Sequence, residues 1–194
     1  MWSSNKTIHD YGCGIVAAFD SFCYLYKKDT GCDFYNHSAP KLYCEKIEKI
    51  TKKYFPLVYP FGINGLSLAS GINKLFHDHG LNYTAQWASS EKKLFERINC
   101  MLSNDIPVIL SIGPNFPKIW GKHGIVFYQK NSMNNLIPVE TVLDHYVIVS
   151  AIDDEWMTIR SWGLEYYIRI SEYKYYVEKY SNYIFSNIVL ITKR

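Results

Sequence analysis

The stretch 145-HYVIVSAIDDEWMTIRSWG-163 decides the fold. Apolar residues alternate along 145-HYVIVSAI-152 and again along 156-WMTIRSW-162, and a third alternating run, 166-YYIRI-170, follows. A period of two is the signature of a strand with one face buried. Asp153-Asp154 and Gly163 separate the runs as turn residues, so the three predict an antiparallel meander.

Upstream of this stretch the period changes. After Gly14, apolar side chains fall at Ile15, Val16, Ala18, Phe19, Phe22, Cys23, Leu25 and Tyr26, the spacing of a helix, which puts Cys13 at a helix N-terminus. Further helices are predicted from Lys41 to Lys53, between Pro40 and Pro56, from Leu66 to His79, stopped by Gly80, and from Ser90 to Ser103. Short strands are expected at 82-NYTAQWA-88 and 106-IPVILSI-112. Gly113 to Asp144, with Pro114, Pro117, Pro138 and an NSMNN cluster, reads as a long loop in which only GIVFYQ at 124–129 is a strand. A short helix near 171–179 and a last strand, 184-IFSNIVLI-191, complete the chain. Helices first and strands later is the α+β pattern. The expectation is one domain over 1–194, its helical layer (about 1–105) packed on an antiparallel sheet (about 106–194).

Composition narrows the class. With 194 residues, 48% of them apolar, the chain is long enough for a proper core. The net charge of +3 comes from 21 basic and 18 acidic residues spread along the chain, so no basic face points to nucleic acid. Five cysteines, Cys13, Cys23, Cys32, Cys44 and Cys100, are an odd number without C-x-x-C spacing, which argues against a disulfide framework and a zinc site and leaves at least one free thiol. No run approaches the roughly 18 apolar residues that span a bilayer, and no signal-peptide pattern opens the chain. The chain as given is therefore expected to be soluble and cytoplasmic, a signal segment removed earlier being left open. Seventeen Tyr and five Trp suggest aromatic-lined surfaces, although many belong to core and half-buried strand positions.

The chemistry-bearing candidate is 9-HDYGCGIVAAFDSFCYL-25. A thiol attacks as thiolate, and a helix N-terminus supplies partial positive charge and N–H groups that favour that form and can hold an oxyanion. Gly12 and Gly14 around Cys13 would let a substrate backbone approach closely. A buried structural cysteine is the competing reading. A nucleophilic cysteine needs an imidazole from elsewhere in the chain, and His145 opens the first strand of the meander, whereas His9, His37, His77, His79 and His123 read as surface or turn residues.

In order, Cys13 on a helix start, a helical region containing 65-GLSLASGINKLF-76, then 104-NDIPVILSI-112 and 145-HYVIVSAIDDEWMTIRSWG-163, the chain resembles papain-like cysteine peptidases. It is most similar to the branch that includes the double-glycine leader peptidases of bacteriocin exporters, whose motifs read D-C-G-x-x-A and H-[FY]-V-V-V-x-G-x-D. The resemblance implies a papain-like fold and a cysteine peptidase or related thiol acyl-transfer hydrolase acting on a peptide or protein substrate, with no metal or organic cofactor. It implies Cys13 as nucleophile and His145 as base. The family's oxyanion-donating Gln has no counterpart before Cys13. Asn5 has the right amide chemistry to replace it, Thr7 has less reach, and a capping or solvent-exposed Asn5 is the alternative.

The residue that orients the imidazole lies about sixteen positions after the histidine in the family, which here is Ser161. The segment 159-IRSWG-163 resembles the papain-type N-S-W-G with the Asn missing. A serine accepts a hydrogen bond from the imidazole but adds no negative charge. Trp162 is implied as the shield of that hydrogen bond, with a core tryptophan as the plainer reading. Trp120, with His123 and Phe127 on the Gly113–Asp144 loop, is the expected wall of a substrate groove. The missing Gln and the serine also fit a peptidase-like binding protein that no longer turns over. No G-x-x-x-x-G-K-[ST] motif is present, so the chain holds no transporter motor. The residues carry nothing on oligomeric state.

Overall fold

The computed structural model describes residues 6–35, 40–58, 61–90, 93–115 and 123–194. The protein is α+β with antiparallel strands. Its elements run α1 (Lys6–Tyr11), α2 (Cys13–Thr30), α3 (Pro40–Tyr54), α4 (Gly65–Asp78), β1 (Tyr83–Trp87), α5 (Leu94–Ser103), β2 (Val108–Ile112), β3 (Ile125–Lys130), β4 (Leu136–Val142), β5 (His145–Ile152), β6 (Trp156–Ser161), β7 (Leu164–Arg169), α6 (Ile170–Tyr180) and β8 (Ile188–Lys193). They fall into two compact units, Met1–Trp87 with Val189–Arg194, and Ala88–Ile188. The division thus comes after β1 rather than near 105, and the end of the chain returns to the helical unit. No helix among the described residues is long and apolar enough to cross a membrane.

The first unit is built around α2. Ile15, Phe19, Phe22 and Leu25 are fully buried, following the predicted stripe, and Gly31 at φ 72° closes the helix in the left-handed conformation that glycine adopts without strain. Phe22 meets Phe34 edge-on at 4.8 Å and the His79 ring at 5.0 Å, so His79 is a packed residue rather than a surface one. α4 starts where Asn64 Oδ1 accepts from Ser67 N–H at 2.9 Å, an N-cap one turn before the apolar stripe. Gly65 is needed there, because a Cβ would lie 2.1 Å from the Trp87 ring. Asn73 on α4 donates to Ala85 C=O and accepts from Ala85 N–H at 2.7 and 2.8 Å, holding β1, which pairs with β8 from Tyr83↔Lys193 to Trp87↔Val189.

In the second unit the strand order is β2-β5-β6-β7-β3-β4, with antiparallel pairing throughout. The meander is β5, β6 and β7, as the alternation predicts. Every residue of β2 is buried. Between β4 and β5 lie only Leu143 and Asp144, so Val142 and His145 are at most about 11 Å apart along the chain. Four lateral strand spacings would set them about 19 Å apart in a flat sheet. The sheet must therefore roll, bringing its β4 edge back toward the start of β5.

Three local expectations are overturned. The Gly113–Asp144 segment is not one long loop: β3 and β4 form a hairpin whose NSMNN turn is tied by Asn131 Oδ1, which accepts from the Met133 and Asn135 N–H groups at 2.9 Å. Pro138 is tolerated because β4 is an edge strand, and Phe127, expected on a groove wall, is fully buried in β3. The last strand begins at Ile188 rather than 184, because Asn182 Oδ1 accepts from Ile184 and Phe185 N–H and turns that segment. α5 begins at Leu94 rather than at Ser90, with Lys93 at φ 67° as its non-helical N-cap, residues 91–92 of the predicted helix lying outside the described ones. The short helix α1 has no counterpart among the predicted elements.

Candidate active site

Cys13 is the first residue of α2, a partly exposed thiol that is not in a disulfide. α1 reaches it across one residue: Gly12 N–H donates to Ile8 C=O, and Gly12 C=O accepts from Ile15 and Val16 N–H, each at 2.9 Å. A Cβ on Gly12 would lie 2.3 Å from the Ile8 carbonyl oxygen. The smallness expected to serve a substrate is therefore used by the chain itself at the α1–α2 joint, and Gly14 is buried within α2. Gly12→Ala is accordingly expected to destabilise the fold by about 1–3 kcal/mol, read as a lower midpoint in urea unfolding. Among the other thiols, Cys23 is buried, and desolvation, with Asp20 adding negative charge, pushes its pKa far up. It is an inert core residue.

His145 opens β5 opposite Ile112 of β2 and is 8% exposed. Its Nε2 shares a 2.8 Å hydrogen bond with Ser161 Oγ, sixteen residues on. β6 ends at Ser161 and β7 begins at Leu164, and these two residues pair across the turn Trp162-Gly163. Both turn residues have positive φ, 50° and 78°, which is the type I′ geometry of a two-residue hairpin. Glycine fits it and tryptophan does not, at a cost of about 1–2 kcal/mol. The Trp162 indole stacks on the His145 imidazole with centroids 4.6 Å apart and planes at 21°, and Tyr166 and Phe127 flank it at 6.0 and 6.1 Å. Trp162 is not a core residue, since 53% of it faces solvent. It is a strained turn residue whose ring covers the imidazole.

Burial lowers the His145 pKa to about 4. The ring is thus neutral at pH 7, with one nitrogen able to take a proton. Trp162→Asn keeps a residue that tolerates positive φ and removes the ring. Relief of about 1–2 kcal/mol of strain roughly offsets a lost stack of about 0.5–1.5 kcal/mol. Stability should change little, while the His145 pKa rises from about 4 toward 6.5 in a ring-proton NMR titration.

The flanking carboxylates have other work. Asp153 Oδ1 accepts from Glu155 and Trp156 N–H at 2.8 and 2.7 Å, shaping the β5–β6 turn, and these bonds lower its pKa. Asp144 sits at φ 42° with its pKa raised by desolvation. Arg160, just before Ser161, pairs with Glu165 at 2.7 Å on the surface.

The structure thus brings together His145, Ser161 and Trp162 in the second unit, and Gly12, Cys13 and Gly14 in the first. Asn5 and Trp120 lie outside the described residues. The positive φ of Trp162 was missed by the sequence reading, although an X-Gly pair between two alternating runs is the signal for such a turn. The second unit also holds an open cleft of about 390 Å³ lined by His123, Glu172, Tyr175, Tyr176 and Tyr180, where His123 stacks on Tyr180 at 3.9 Å. No group of three or more His, Cys, Asp or Glu side chains among the described residues is placed to hold a metal ion. Compared with protein-family models, curated proteins and solved structures, the chain finds no match in any of the three.

Proposed function

We propose that the chain is a papain-like cysteine peptidase, or a closely related thiol acyl-transfer hydrolase, in which Cys13 is the nucleophile and His145 the base. The observation that carries this reading is the His145–Ser161 hydrogen bond under the Trp162 ring. A buried neutral imidazole with one nitrogen engaged by an orienting side chain is what a general base requires. The pairing with Cys13 comes from the order of the motifs in the sequence.

The proton of the Cys13 thiol passes to His145 Nδ1, and the thiolate adds to the carbonyl carbon of a peptide or isopeptide bond. N–H groups at the start of α2, and Asn5 by the family resemblance, hold the oxyanion. As the tetrahedral species collapses, the C–N bond breaks and the amine leaves with the proton from His145. Water, deprotonated by the same imidazole, then cleaves the thioester. Each step uses groups of this chain and water alone.

A second reading, a peptide-binding protein with weak or no turnover, is favoured by one observation: the partner of His145 is a neutral hydroxyl, and the ring pKa of about 4 makes it a weak base. A peptidyl electrophile and a fluorogenic peptide library separate the two. Catalysis predicts covalent labelling at Cys13, found by peptide mapping, with hydrolysis abolished in Cys13→Ala. Labelling spread over exposed Cys32 and Cys100 with Cys13 unmarked would remove the nucleophile and leave the binding reading.

A further inference from the structure

The roll of the sheet carries β4 toward the start of β5, and one charged side chain comes with it. Glu140 lies opposite Phe127 in the β3–β4 ladder, so the two share a face of the sheet. On that face Phe127 packs against Tyr166 at 5.4 Å and Trp162 at 6.1 Å, and Trp162 meets Tyr166 edge-on at 6.0 Å. Glu140 thus stands beside the aromatic cluster whose outermost ring covers His145. The Tyr166 phenol senses it: burial, and after it the Glu140 charge, push its pKa up. Glu140 is exposed and has no hydrogen-bond or ion-pair partner among the described residues. Arg160 does not take it. Strand alternation points Arg160 away from the Ser161 side of β6, where it pairs with Glu165 across the β6–β7 ladder.

Trp162 supplies the other half of a site. One side of its indole lies on the imidazole, and with 53% of the residue exposed its outer side is open to solvent. An open indole beside an unpaired carboxylate offers a planar cation both contacts that suit it, an aromatic face to stack on and two oxygens in a fork. Leu143, just before β5, and Leu164, just after the Trp162-Gly163 turn, are exposed and add apolar surface for a methylene stem. We propose that Glu140 and the outer side of Trp162 form a subsite for a guanidinium, so that the preferred peptide carries an arginine close to the bond acted on. The subsite itself stands on the second unit alone, and its meaning for substrate choice rests on the proposed function. Glu140 is then a specificity residue that takes no part in the chemistry.

The test titrates the full chain with a blocked tripeptide bearing a central arginine and with its citrulline counterpart, which keeps the shape and lacks the charge. Binding is followed by 1H–15N NMR at the Trp162 indole N–H, assigned by its loss in Trp162→Asn. The arginine peptide should move this signal and bind about fivefold more tightly than the citrulline peptide. Glu140→Gln should bring the two peptides to parity, and Glu140→Lys should turn the preference toward an aspartate peptide. Both variants change an exposed position on an edge strand and are expected to fold. The same arginine preference should appear in kcat/KM. Equal binding of the two peptides by the unaltered chain, a preference that survives in Glu140→Gln, or an indole signal that moves with neither peptide would overturn the inference. The expected preference in binding, with neither peptide cleaved and Cys13 unlabelled by the peptidyl electrophile, would leave the subsite standing and remove the proposed chemistry.

Discussion

In His145→Ala the acylation of Cys13 by a small activated ester is expected to fall by about 10²–10⁴-fold, the usual contribution of a positioned general base. The same loss should appear in peptide hydrolysis. The pH dependence makes this expectation specific to the geometry. The base must be neutral to accept a proton, and burial puts its pKa at about 4. The acid limb of the rate should therefore lie near pH 4, with the rate retained above it and lost below, rather than near the ordinary histidine value of about 6.5. In Trp162→Asn, where water reaches the ring, that limb should move up. A rate profile measured from pH 3.5 to 8 on both chains checks the two statements together. An acid limb near 6.5 in the unaltered chain, or one untouched in His145→Ala, would show that His145 is not the titrating base.

The second large effect is on stability. His145 has a depressed pKa when folded, so between about 4 and 6.5 the unfolded chain binds a proton that the folded chain refuses. The contribution is fully present above pH 6.5 and is lost progressively as pH falls to about 4. Its size follows from about 2.5 pK units at 1.36 kcal/mol each, or about 3 kcal/mol. That is a large part of the 5–15 kcal/mol typical of a folded domain. Urea unfolding at pH 7.5, 5.5 and 4 should show the decline, and His145→Gln, which removes the titration, should flatten it. The difference between the two chains isolates this residue, because the displaced carboxyls contribute equally to both. Parallel curves for the two chains across the window would mean that the imidazole is hydrated in the folded state.

Much of this was legible in the residues. Strand alternation over 145–152, 156–162 and 166–170 marked β5, β6 and β7, because a sheet with one buried face forces a period of two. The stripe from Ile15 to Tyr26 marked α2 for the corresponding reason, and with it the place of Cys13 at a helix start. Where local hydrogen bonding competes with hydrophobic pattern, the pattern misled. Asn131 and Asn182 close turns inside segments read as loop and strand, since a side-chain oxygen that accepts two backbone N–H groups satisfies donors that a ladder would otherwise need.

What the sequence determined by itself was the α+β class, the order of the elements other than α1 and β4, and the candidates Cys13, His145 and Ser161 for one chemistry. Only the tertiary structure decided what surrounds the imidazole. The sixteen-residue separation of His145 and Ser161 becomes a 2.8 Å contact because two antiparallel strands and their turns return the chain to its starting level. The left-handed turn then lays the Trp162 ring over that contact. Burial, and with it the shift of the His145 pKa to about 4, depends on distances between residues far apart in the chain, and no local pattern encodes those.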